Sequence, residues 1–112
     1  MINYNERTFR LVSNTDGGET NEETIFNYQQ HSFLVSGTYS GGAILFGHLI
    51  GLVDAEGIME ISYHHVNHEG IVRTGICVTK PEVLPDGKIR LHERWKWTNG
   101  DGLEGESKLE EI

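Results

Sequence analysis

Six residues of this 112-residue chain have chemically able side chains and a spacing that gathers them: His48, Tyr63, His65, Thr74, Glu93 and Trp95. Imidazole exchanges a proton near neutrality, phenol and hydroxyl groups bond polar ligands, and a carboxyl in an apolar enclosure becomes a weaker acid. Three uses of such a set differ in kind. As the polar part of an apolar pocket, it would orient one small ligand. As a catalytic pair, Glu93 with His48 or His65 would serve as general acid and base. In a solid-cored structural or protein-interaction barrel, the same groups would satisfy one another's hydrogen bonds.

A metal centre is not expected. His64 and His65 are adjacent and point to opposite faces of a strand, and His68 lies in the next turn. Asn99-Gly100-Asp101-Gly102 reads as a turn, since a calcium loop would need further carboxylates and a terminal glutamate. No cofactor is implied, for the chain has no P-loop, dinucleotide fingerprint or Gly-x-Ser-x-Gly.

Positioning the six residues requires a sheet. Short apolar runs of period two, fourteen glycines and two prolines predict strands at 7–14, 23–29, 32–40, 43–53, 58–66, 71–80, 88–98 and 103–111. Every connection is too short for a parallel crossover, so neighbours are antiparallel. A hairpin turn at Gly41-Gly42, both with positive φ, sets Val35 opposite His48 and Phe33 opposite Ile50. The turn at 54–57 then sets Leu52 against Met59, Ile50 against Ile61, His48 against Tyr63 and Phe46 against His65. The turn at 67–70 places Val72, Thr74, Ile76 and Val78 beside His65, Tyr63, Ile61 and Met59. This register puts Phe33, Phe46, His48, Ile50, Leu52, Thr74, Ile76 and Val78 on one inner face and Cys77 on the outer face beside Glu60.

Eight sequential antiparallel strands with one apolar face predict an all-β fold, an up-and-down barrel whose closure removes the exposed edges. An interior of that size holds side chains or one small ligand. In the seventh strand Lys88, Arg90, Arg94 and Lys96 alternate with Ile89, Leu91, Glu93, Trp95 and Trp97. The basic residues therefore form a solvated outer face, and Glu93 turns inward with both tryptophans.

Composition bounds the partners. With 37% hydrophobic and 23% charged residues the chain reads as one globular domain, residues 1–112. A net charge of -8 argues against nucleic acid. The absence of a run of roughly 20 apolar residues argues against a spanning helix, and no membrane partner is expected. A single cysteine and a start without a signal pattern lead to an expected cytoplasmic location. The expected partner is a small apolar or amphipathic molecule. A homodimer through an apolar face is the other association weighed.

The segments Glu23-Thr24-x-Phe26-x-Tyr28-x-Gln30, Tyr39-Ser40-Gly41-Gly42, Gly47-x-Leu49-Ile50-Gly51 and Tyr63-His64-His65-x-Asn67 resemble those of a family of small bacterial proteins. Arg90-Leu91-x-Glu93-x-Trp95-x-Trp97-Thr98-x-Gly100-Asp101 and Glu110-Glu111 extend the resemblance over most of the chain. Members often carry the label N-acetylglutamate synthase. The resemblance implies a lipocalin- or avidin-like β-barrel and brings no catalytic residues to transfer. Acetyltransferases of the usual kind hold a pyrophosphate at a Gly-rich loop and helix N-terminus, a unit this sequence lacks, so the labelled activity is not expected.

Overall fold

A computed structural model describes residues 2–112 as eight antiparallel strands closed into a barrel in sequence order. They are β1 (Arg7–Asn14), β2 (Ile25–His31), β3 (Leu34–Gly41), β4 (Ile44–Val53), β5 (Met59–Asn67), β6 (Val72–Val83), β7 (Ile89–Trp97) and β8 (Glu104–Glu111). β1 pairs with both β2 and β8, so no sheet edge is left open. Strand number, order and approximate bounds agree with the expectation from sequence. The register does not.

The hairpin turn between β3 and β4 is Gly42-Ala43, one residue later than expected, because Gly41 pairs with Ile44. Both Gly41 and Gly42 have positive φ, 113° and 63°. A side chain at Gly41 would also collide with the Glu23 carbonyl oxygen. A bulge between Ile44 and Phe46 then inverts the parity of β4. Gly47, Leu49, Gly51 and Val53 face the interior, while Phe46, His48, Ile50 and Leu52 face outward. β5 carries Met59, Ile61, Tyr63 and His65 inward as expected. β6 is displaced by one residue: Gly75, Cys77 and Thr79 are buried, and Val72, Thr74, Ile76 and Val78 lie on the outer face. Phe33 sits in the β2–β3 turn and is 64% exposed.

Volume explains these corrections. An eight-stranded interior has little room, and large rings already fill it. Tyr39 lies over Gly47, Tyr63 over Gly75 and Trp95 over Gly105, each pair being directly opposed across a strand boundary. A Cβ at any of these glycines would overlap the ring. Small residues therefore take the inner positions next to the rings, and the aliphatic residues beside them turn outward. Ile50, Leu52, Ile76 and Val78 consequently form an exposed apolar patch separated by Ser62 and Glu60.

The outer face of β7 is basic, as expected. Arg90 is half-buried there, with its guanidinium 2.8 Å from Glu110 and 3.5 Å from Glu82, while Lys88 and Arg94 are exposed.

One end of the barrel is sealed. Tyr4, preceding β1, is fully buried with Phe9, Tyr28, Met59, Ile89, Leu91 and Leu109. Its hydroxyl donates to the Gly57 carbonyl at 2.6 Å, tying the N-terminal segment to the β4–β5 turn. Burial holds that phenol protonated, well above its ordinary pKa.

Candidate functional site

The opposite end carries the long β1–β2 connection, residues 15–24, which crosses the mouth of the barrel. Two indoles hold it down. Trp97 Nε1 donates to the Gly17 carbonyl at 3.0 Å, and Trp95 Nε1 donates to Asn14 Oδ1 at 3.0 Å. Asn14 Nδ2 in turn donates to Thr20 Oγ1 at 2.9 Å. These bonds satisfy buried donors and fix both ring planes.

Glu19 is the residue whose side chain ties this loop to β5 and β6. His65 Nε2 lies 2.7 Å from Glu19 Oε1, Asn67 Nδ2 3.2 Å from Oε2, and Arg73 Nη1 3.1 Å from Oε2. Tyr39 Oη lies 2.9 Å from His65 Nδ1. Burial holds His65 below its usual pKa, outweighing the opposite pull of Glu19, and the Arg73 charge lowers it further. The neutral ring thus carries its proton on Nε2, donating to Glu19, and accepts the Tyr39 proton at Nδ1. Burial alone would raise the Glu19 carboxyl. Its bonds from His65 and Asn67, with the nearby charge of Arg73, bring it below the ordinary value, so it is an anion. The Arg73 guanidinium lies over Trp97, 3.9 Å from the ring centroid.

Beneath Glu19 is a cavity of about 60 Å³, within roughly 530 Å³ of unfilled space when the open mouth is included. Its walls include Tyr39, Tyr63, Ile61, Trp95, Trp97 and Glu93. Glu93 lies two pleats deeper along β7 than Trp97. It accepts bonds from Ser107 Oγ at 2.9 Å and Thr79 Oγ1 at 3.3 Å, and no cation pairs with it among the described residues. Enclosure by protein pushes its pKa up to about 7, against the lowering effect of bonds from Ser107, Thr79 and Cys77. Glu93 keeps some accessible surface because it borders the cavity.

Of the six residues singled out by sequence, Tyr63, His65, Glu93 and Trp95 line this cavity. His48 and Thr74 do not. His48 is on the outer face with its ring stacked on His64, the centroids 5.8 Å apart. Thr74 bonds Thr98 near the rim at 2.7 Å. The expected pairing of Glu93 with His48 is therefore broken by the wall of the barrel. Glu93 and His65 share the cavity, but both imidazole nitrogens are engaged by Tyr39 and Glu19. Cys77, expected outside, is buried inside with its sulfur 3.4 Å from Thr79 Oγ1, and burial pushes the thiol up.

Sequence reasoning missed Glu19, Tyr39, Asn67, Arg73, Thr79 and Ser107. The signal for Arg73 was the ring-over-glycine pair Tyr63–Gly75: once those are opposed, Arg73 must face His65. Glu19 lies in an irregular loop, where no period announces it.

The chain is thus an eight-stranded up-and-down antiparallel barrel, sealed at one end and holding an aromatic-walled cavity at the other. A family model described as avidin-like protein matches residues 2–112, and the chain belongs to that family. No curated protein and no solved structure matches it.

Proposed function

We propose that the protein binds one small molecule in the open half of its barrel, with Glu93 as the inner polar anchor. The observation that carries this reading is Glu93 itself. A carboxyl placed among apolar and aromatic walls without a cation is destabilising, and the two hydroxyls bonding it do not need a carboxyl to be satisfied. Bordering a cavity, it is placed to take a donor from a ligand. Flat rings of Trp95, Trp97, Tyr39 and Tyr63 supply the apolar contact.

The cavity of about 60 Å³ holds only a few water-sized groups, below the roughly 300 Å³ at which ligand pockets begin. A ligand larger than that enters only with the 15–24 loop displaced. Binding, not catalysis, fits the geometry, because the one histidine beside the cavity is already committed to Tyr39 and Glu19.

Native mass spectrometry of the protein isolated from its own host tests this. A molecule retained by the wild type and lost from Glu93→Leu is the expected result. Wild-type protein of bare polypeptide mass, from cells and buffers that preserve complexes, would overturn the reading.

A further inference from the structure

The donors that receive Glu19 belong to the sheet, not to the loop. His65 and Asn67 lie on the same face of β5, and Arg73 of β6 is the direct cross-strand partner of His65. Three side chains of two adjacent strands thus converge on one carboxylate that arrives from elsewhere in the chain. Tyr39 fixes the His65 ring so that Nε2 donates, and Trp97 supports the guanidinium plane.

Glu19 does not exhaust this donor set. It takes Nη1 of Arg73 alone, while Nε and Nη2 are buried without a hydrogen bond among the described residues. Asp101 stands 3.7 Å from Nη2, too far for a hydrogen bond. A guanidinium edge with free donors matches a planar carboxylate in paired, parallel bonds. With His65 neutral, the cluster's one positive charge is that of Arg73, shared with Asp101 at 3.7 Å, so it suits no more than a monoanion.

The loop also controls entry. Glu19 is its side-chain link to β5 and β6, and the space beneath it is small while that link is made. Releasing Glu19 removes the loop's link to β5 and β6, while the Trp97–Gly17 and Asn14–Thr20 bonds still hold it on the other side of the mouth.

We infer that His65, Asn67 and Arg73 form a carboxylate-binding subsite, that Glu19 fills it in the empty protein, and that the ligand carries a carboxylate that displaces Glu19. The inference rests on the reading of the barrel interior as a ligand site and names the ligand's chemical class. Glu19 is then a built-in competitor, and the 15–24 loop opens as the ligand's carboxylate takes its place.

Calorimetric titration of the full chain with propionate and with propionamide tests it. Glu19→Ala should bind propionate at least ten-fold more tightly than the wild type does, and at least ten-fold more tightly than it binds propionamide. Glu19→Gln, which keeps the loop's side chain but not its charge, should fall between. Arg73→Met added to Glu19→Ala should abolish the preference for the acid, with tryptophan fluorescence confirming that each variant is folded. Equal propionate affinity in wild type and Glu19→Ala, or equal affinity for acid and amide, would overturn the inference. A retained host molecule without a carboxylate would also overturn it while leaving small-molecule binding intact. Propionate selectivity in a protein that retains no host molecule would support the subsite and count against the broader reading alone.

Discussion

Phe9→Ala is expected to lower the unfolding free energy by roughly 3–5 kcal/mol, and Phe46→Ala by less than about 1 kcal/mol. Phe9 is fully buried at the sealed end, its ring 5.2 Å from that of Tyr28 in an edge-on contact. Truncation there removes the transfer free energy of a whole ring and leaves a cavity that neighbouring strands cannot close. Phe46 is 58% exposed, because the bulge after Ile44 turns it out of the barrel. Alternation without that bulge would turn Phe46 inward and make its truncation as costly as that of Phe9. Denaturant unfolding of both variants checks the register of β4 directly. A loss above about 3 kcal/mol for Phe46→Ala would place its ring inside.

The Glu93 contribution to wild-type stability is expected to fall as pH rises from about 4.5 to about 7, and Glu93→Gln is expected to remove that fall. Glu93 has a folded-state pKa of about 7 against an ordinary value of 4.5, with burial the largest cause. Between those values the unfolded chain has released its proton while the folded chain retains it, so the folded state loses ground with each added pH unit. Below pH 4.5 both states are protonated and the contribution vanishes; above pH 7 the deficit is constant. The shift corresponds to about 3 kcal/mol. The difference in unfolding free energy between Glu93→Gln and wild type should therefore move by that amount in the variant's favour between pH 4 and pH 8. Taking the difference cancels titrations common to the two proteins. A flat difference would mean that Glu93 ionises as freely inside the barrel as outside it.

The eight strands, their antiparallel order and closure were legible because period-two alternation and short Gly-rich turns survive errors of one residue. Register is less forgiving. Runs such as Phe46-Gly47-His48-Leu49-Ile50 contain apolar groups on both faces, so alternation alone favoured the bulkier set. Interior volume decided otherwise, seating Tyr39, Tyr63 and Trp95 over Gly47, Gly75 and Gly105. Those three pairs were present in the sequence as a register signal. Used that way, they turn Cys77 and Arg73 inward and Thr74 outward. The β7 alternation of basic and aromatic residues was unambiguous, which is why Glu93 and Trp95 were placed correctly. His65 was found by type and face, but its true partner, Glu19, lies in a loop with no repeating pattern.

A ¹³C NMR titration of the Glu93 carboxyl bears most directly on whether an enclosed acid faces a ligand cavity. In protein freed of any retained molecule, the Glu93 signal should titrate with a midpoint near 7. It should move away from that value when the retained molecule is returned. A midpoint in the ordinary carboxylate range, or a titration that the returned molecule leaves unchanged, would contradict the assignment of Glu93 as the inner anchor of the site.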